Sequence, residues 1–215
     1  MGIPKSLALA TAVVGVFLAF AGANSAMAST KLCASAPSTE NECPTGKAEY
    51  SGTITTTSTN PVLTTNFFDI VCKHSAITAK ANSSTNVAPS TSVSGEVSAL
   101  SFKECVTGEM AYPCAIFTKN LPYGAEIQGT VWGEPNTWAL NVADEVGIRL
   151  QIACPQIKYQ CEYQVKELSL SGTNGSPTTI AAIEIQFLKV GGFCTELLKL
   201  DANYNVISPE GFTVS

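Results

Sequence analysis

The chain is poor in charge, in histidine and in helix-like periodicity, and each shortage removes a class of function. Charged residues are 13% of 215 positions, about half the roughly 25% usual in globular proteins. Arg149 is the only arginine and the formal net charge is −5. A nucleic-acid backbone is bound by clustered Lys and Arg, so that partner is excluded. His74 is the only histidine, and a serine-hydrolase triad would have to use it as base. Asp69 lies five residues away, on the opposite face of any strand holding both. No G-x-S-x-G, H-E-x-x-H, Walker or dinucleotide signature occurs.

What remains is apolar and rich in hydroxyls. Hydrophobic residues make up 45% of the chain, and Ser and Thr about a fifth. That is ample material for a core and too much for a disordered tail. The length suits one domain, or at most two small ones.

The N-terminus reads as an address. Lys5 is followed by an uncharged run, Leu7 to Ala21, about 22 Å long as a helix against roughly 30 Å of bilayer core. Ala26-Met27-Ala28 then supplies a small-x-small cleavage triplet, with Ala21-Gly22-Ala23 as a second choice. Residues 1–28 are therefore expected to be a cleaved signal helix. The protein would be secreted or envelope-associated, with no membrane insertion after cleavage. Thr30-Lys31-Leu32 before Cys33 does not make a lipobox.

All eight cysteines, Cys33, Cys43, Cys72, Cys105, Cys114, Cys154, Cys161 and Cys194, follow that cleavage site. An even count in an exported chain reads as disulfides. Nearness in sequence suggests Cys33–Cys43, Cys105–Cys114 and Cys154–Cys161, which leaves Cys72 for Cys194. Zinc is the weaker reading, since there is no C-x-x-C pair and one histidine; no metal or cofactor is expected. Cys72 and His74 share a strand face, so a thiol–imidazole dyad can be drawn. The plainer reading is a disulfide cysteine beside a surface histidine.

Residues 29–46 read as a polar N-terminal loop segment, and residues 47–215 as a single β domain. From Ala48 onward the apolar period is two, as in half-buried strands. Leu198, Leu200, Ala202, Tyr204 and Val206 alternate with Lys199, Asp201, Asn203 and Asn205. Trp138, Leu140 and Val142 form a second inward face, and Ile148, Leu150, Ile152 and Cys154 a third. Ala143-Asp144-Glu145 between them suggests a hairpin. Turn residues recur at 120–124, 133–136, 172–177 and 191–192. About ten to twelve short strands at such spacing predict an antiparallel β-sandwich, with a β-barrel as the alternative, stapled by disulfides.

Sites are harder to read. Glu104, Glu126, Glu134 and Glu184 lie on or beside strands, where two carboxylates would serve glycoside hydrolysis; nothing singles out a pair. Asp144-Glu145 offers oxygen ligands to calcium only in the loosest sense. Tyr112, Tyr123, Trp132 and Trp138 are the aromatic rings available to stack on sugars. By parity Trp132 falls outward with Glu126, Gln128 and Thr130, whereas Trp138 falls inward. Trp132 and Tyr123 are therefore the candidate ligand-binding residues.

Three stretches carry a resemblance. Cys72-x-x-Ser75-x-Ile77-Thr78 is the first, and Ser98-x-Leu100-x-Phe102-x-x-Cys105 the second. The third is Cys194 with Ala202-x-Tyr204, Ser208-Pro209 and Phe212-x-Val214. From Val62 to Ser215 the chain resembles a family of uncharacterised exported proteins widespread in soil bacteria. Its members often carry tryptophan where this chain has Leu200. The resemblance implies an exported all-β fold with structural cysteines, and brings no activity, cofactor or catalytic residue. The expectation is a non-catalytic binding or structural module meeting a cell-wall or extracellular polysaccharide, or another envelope protein. A carbohydrate-active hydrolase using two carboxylates is the alternative.

Overall fold

A computed structural model describes residues 30–34, 43, 50–82, 91–129, 136–175, 177–192 and 194–214. The expected signal segment, residues 1–28, and most of residues 29–46 lie outside these. The period-two pattern becomes β1 (Leu32–Cys33), β2 (Thr53–Thr59), β3 (Val62–Thr64), β4 (Asp69–Ala81), β5 (Val93–Thr107), β6 (Pro113–Lys119) and β7 (Tyr123–Gly129). It continues as β8 (Thr137–Cys154), β9 (Tyr159–Thr173), β10 (Thr179–Gly192), β11 (Leu197–Ser208) and β12 (Thr213–Val214). One 3-10 turn, Pro155–Ile157, is the only helical element among the described residues.

β4 pairs antiparallel with β5, and β8 through β11 pair antiparallel in sequence, each of these six filling one strand position. β2 and β3 share a position between β11 and β4, and β6 and β7 share another between β5 and β8. Leu200 pairs with Leu63 and Val206 with Thr56, so the last long strand meets the first and the sheet closes. The result is an antiparallel barrel of eight strand positions. The sandwich expectation is thereby corrected in favour of the barrel. One buried face and one wet face alternate identically in both architectures; pairing of the first strand with the last separates them, because only full closure removes the edges.

The shared positions come from breaks in the backbone. Asn60 (φ 55°) separates β2 from β3, and Asn120 (φ 66°) separates β6 from β7. Asparagine tolerates this left-handed region better than most residues. The expected hairpin at Ala143-Asp144-Glu145 is instead a bulge inside one 18-residue strand, β8. Ala143 pairs with Glu167 and Ile148 with Val165, so the residues between them bulge outward and the strand bends around the barrel. Asp144 Oδ1 accepts the Val146 N–H at 2.9 Å, and Gln164 Nε2 donates to Val146 O at 2.8 Å.

Inward faces follow parity. Leu198, Leu200, Ala202, Tyr204 and Val206 of β11 are all buried, as are Trp138, Leu140, Val142, Ile148, Leu150 and Ile152 of β8. Residues 29–46 are not simply a loop, since Leu32–Cys33 pairs with Thr213–Val214 as a second, two-stranded sheet. This clasp sits over the barrel end where β2 begins and β11 finishes. Tyr50 N donates to Leu32 O at 2.8 Å, and Asn174 brackets Val214 through both its amide oxygen and nitrogen.

Three of the four disulfides brace the opposite end, and the fourth, Cys33–Cys43, lies in the clasp itself. The bonds are Cys33–Cys43, Cys72–Cys105, Cys114–Cys154 and Cys161–Cys194. Of the three pairings suggested by nearness only Cys33–Cys43 holds, and the remaining Cys72–Cys194 pairing does not. Cys105 lies opposite both Cys72 on β4 and Cys114 on β6. Cys72 donates its N–H away from β5, to Pro61 O at 3.0 Å, while Thr107, of the same parity as Cys105, donates to Tyr112 O on the β6 side. Cys72 and Cys105 are thus a non-hydrogen-bonded pair, whose side chains approach more closely than those of a hydrogen-bonded pair. The Cα atoms are 3.8 Å apart there and 4.2 Å apart at Cys114–Cys154. Cys194 reaches Cys161 through Gly192 (φ 90°), where a Cβ would meet Gln160 O at 2.2 Å. Loops of 33 and 40 residues are closed in this way, each worth about 3–4 kcal/mol in the chain-entropy account.

Trp138 lies across Gly172 on the facing strand, and a Cβ at Gly172 would sit 2.2 Å from the indole. Gly172→Ala is expected to lower stability by about 2–3 kcal/mol through overpacking. Urea unfolding followed by tryptophan fluorescence measures this, and an unchanged midpoint would contradict the packing.

Candidate functional site

Two adjoining turns at the disulfide end present exposed large apolar side chains. The first turn joins β3 to β4. Thr65, itself buried, donates its hydroxyl to Phe68 O at 2.7 Å and accepts the N–H groups of Phe67 and Phe68 at 3.2 and 3.0 Å. This hydroxyl holds a tight turn in which two adjacent aromatics point opposite ways. Phe68 packs edge-on against Tyr159 at 5.0 Å, and Phe67 is left 75% exposed.

The second turn joins β5 to β6 and repeats the device. Buried Thr107 accepts the Tyr112 N–H at 3.0 Å on its hydroxyl, and its backbone exchanges bonds with Tyr112 and Ala111. Met110 and Tyr112 are carried outward, 55% and 37% exposed. Gly108 N donates to Asp69 O at 2.8 Å, tying one turn to the other. The Cys72–Cys105 bond lies just behind both. Phe67, Met110 and Tyr112 thus project from one rigid rim. Apolar side chains in a group mark contact sites more often than single ones do.

Behind the rim the barrel interior turns polar in two places. Ser75 donates to Ser101 O at 2.8 Å, so its oxygen receives the Tyr204 hydroxyl at 2.9 Å. Thr195 donates to Leu197 O at 2.8 Å and receives Tyr163 at 3.0 Å, which in turn receives Tyr159. Burial pushes the Tyr204 phenol up to about 12 and that of Tyr159 still further. Both chains end on backbone carbonyls, so they are closed networks that fix ring positions. Several of the motif residues meet here: Cys72 with Cys105, Ser75 with Tyr204, and Ile77 opposite Leu100.

The residues singled out by sequence are scattered. Trp132 and Glu134 lie outside the described residues, as does most of the 82–94 loop. Tyr123 is 1% exposed and bonded to Lys119 O, so the expectation of a sugar platform there is corrected. Its parity with Ile127 turns the ring into the barrel. Trp138 is buried, as parity predicts. Tyr112 of that aromatic set is the described ring that does reach solvent. Phe67 was overlooked; its signal was the Phe67-Phe68 pair following Thr65-Asn66, where one ring must face out.

Other expectations resolve similarly. Cys72 is locked in a disulfide, and β4 breaks its alternation at Lys73 and His74, both exposed, so no thiol–imidazole dyad forms. Glu104, at a left-handed position (φ 52°), pairs with Lys73. The hydrogen bond and charge of that ammonium hold the Glu104 carboxyl below its usual value. Glu126 accepts from Ser92, and Arg149 pairs with Glu162 at 3.0 Å on the outer wall. No group of three or more His, Cys, Asp or Glu suited to a metal occurs among the described residues. In the 172–177 turn Asn174 serves the C-terminal strand. Set against known protein families, curated proteins and solved structures, the chain matches none.

Tyr204 supplies a pH test of this interior. Its unfolded value is about 10, and the folded value near 12 means the folded state keeps a proton the unfolded chain has lost. That contribution is complete below pH 10 and is lost as pH rises from 10 to 12. Tyr204→Phe should cost about 1 kcal/mol at pH 8 from the missing hydrogen bond. The gap to the parent protein should narrow by pH 11, because the variant lacks this titration. Urea midpoints at the two pH values check both signs.

Proposed function

We propose that the protein is exported and acts as a non-catalytic recognition module, its disulfide-braced rim docking on cell-wall or extracellular polysaccharide. The kinship to exported bacterial proteins and the removal of residues 1–28 belong to the same proposal. The observation that carries it is the rim itself. Phe67, Met110 and Tyr112 project from two turns fixed by buried threonines and tied together by backbone. Rings so held stack on a sugar without first having to be ordered, which lowers the entropic cost of binding. Four disulfides accord with an oxidising compartment. The low charge of the chain suits a neutral glycan partner better than an ionic one.

The hydrolase alternative needs two carboxylates within about 5–10 Å across a shared cleft. Glu104 and Glu126 are instead occupied separately on the outer wall, so no observation promotes it over recognition.

Pelleting with purified cell walls and insoluble polysaccharides, with released sugars assayed in the supernatant, tests the proposal. The oxidised protein should pellet without releasing sugar. Phe67→Ser with Tyr112→Ser should weaken pelleting about tenfold, equivalent to about 1.4 kcal/mol, while leaving the urea midpoint near that of the parent. Sugar release would favour the carboxylate mechanism, and pelleting indifferent to the rim would remove this face from the account.

A further inference from the structure

The barrel lumen holds two voids that rim recognition does not use. The upper, of about 30 Å³, lies beneath the clasp and is bounded by Leu32, Thr56, Ile77, Trp138, Leu140 and Phe212 with their neighbours. The lower, of about 40 Å³, lies among Ile77, Val97, Tyr123, Leu140, Val142 and Leu170. Ile77 and Leu140 border both, so one layer of side chains separates them. Ala79, Ala81, Gly95 and Ala125 keep one side of the upper void thin. Gly95 is obligatory there, because a Cβ would meet Lys80 O at 2.5 Å.

Two atoms break the apolar pattern. Trp138 Nε1 and Thr56 Oγ1 are buried, have no hydrogen-bond partner, and belong to residues lining the upper void. Their residues are 1% and 2% exposed. Buried polar groups are nearly always satisfied; of the four unpartnered buried side-chain atoms among the described residues, Ser58 Oγ and Arg149 Nε being the others, these two are the ones that border this void. Space for a single water, about 10–15 Å³, is present, but a buried water typically makes about three hydrogen bonds. These two groups provide fewer, amid apolar walls. A guest with one oxygen and a hydrocarbon body matches better. Its oxygen would accept from the indole and pair with the threonine hydroxyl, and its chain would pass Ile77 and Leu140 toward the lower void.

We propose that the lumen is a binding site for a small neutral aliphatic molecule carrying one hydroxyl or carbonyl oxygen. A charged head group is disfavoured, since Lys80 and Glu96 at the edge of the void are themselves exposed and the interior has nothing to solvate a charge. Entry is through the clasp. Leu32 and Phe212 fill the mouth, and β1 is joined to β12 by only two residue pairs. Lifting it gives the guest the space those side chains occupy. This site is independent of the rim, and loss of one leaves the other intact.

The probes are 1-hexanol and n-hexane, which differ by the oxygen. In the oxidised protein carrying Trp132→Phe, the one remaining indole N–H signal in a nitrogen–proton spectrum belongs to Trp138. Hexanol should move it downfield and saturate, binding at least fivefold more tightly than hexane. Thr56→Val keeps the shape and removes an unpaired hydroxyl, so the fold should persist; it should weaken hexanol threefold or more and leave hexane unchanged. Leu32→Ala should tighten hexanol severalfold by enlarging the mouth. The proposal is overturned if neither probe moves the indole. It is equally overturned if both bind alike regardless of Thr56→Val, or if the indole proves to be bonded to a resident water that hexanol does not displace.

Discussion

The ladder between β11 and the β2–β3 position is the contact on which the rest of the structure depends. Val62, Leu63 and Thr64 pair with Asp201, Leu200 and Lys199, and Thr56 and Thr57 with Val206 and Asn205. Without these bonds the same strands would form an open sheet with two edges, each a row of unpaired amides. With them, every inward side chain acquires neighbours around a full circle. The Ser75–Tyr204 bond illustrates the consequence. It joins residues 129 apart in sequence, and it exists only because β11 has come round to stand beside the β2–β4 wall.

Closure also explains why the two ends differ. At the disulfide end six cysteines, Cys72, Cys105, Cys114, Cys154, Cys161 and Cys194, tie strands or turns across the wall. The turns there are held by buried threonine hydroxyls and can display apolar rings without being drawn into the core. At the other end a two-residue sheet, the Cys33–Cys43 bond and a few polar anchors cover the mouth. Thr30 donates to Thr91 O and accepts from Gly129 N, and Asn174 holds Val214. One disulfide at the mouth against three at the opposite end makes the mouth the end that opens at lower free-energy cost, in keeping with the general link between covalent bracing and local opening.

How much of this was legible in the sequence depends on the range of the interaction concerned. The inward faces of β8 and β11 follow from parity alone, because strand side chains alternate regardless of what they pair with. The choice of barrel over sandwich does not, since it turns on whether Leu200 meets Leu63. Disulfide pairing was hidden for the same reason. Cys105 has two cysteines directly opposite it, and only the parity of the backbone hydrogen bonds selects Cys72. Tyr123 is a different case. Its spacing from Ala125 and Ile127 was visible and points inward, but the Leu121-Pro122 turn before it obscured where β7 begins.

The same distinction bears on the candidate sites. Phe67 and Tyr112 belong to turns far apart in sequence, joined by the Gly108–Asp69 bond, so no local pattern announces the rim. The unpaired groups of Thr56 and Trp138 likewise stand on strands β2 and β8, on separate stretches of the wall, and meet only around the lumen. A barrel core ordinarily tolerates no such orphans, because each replaces solvation with nothing. Valine at position 56 would have avoided one at no cost in volume. Satisfied networks at Ser75–Tyr204 and Tyr159–Tyr163–Thr195 contrast with the inward hydroxyls of β2, where both Thr56 and Ser58 lack a partner. Of the unpartnered buried groups among the described residues, Thr56 and Trp138 are the two that border the void beneath the clasp, where a guest could satisfy both.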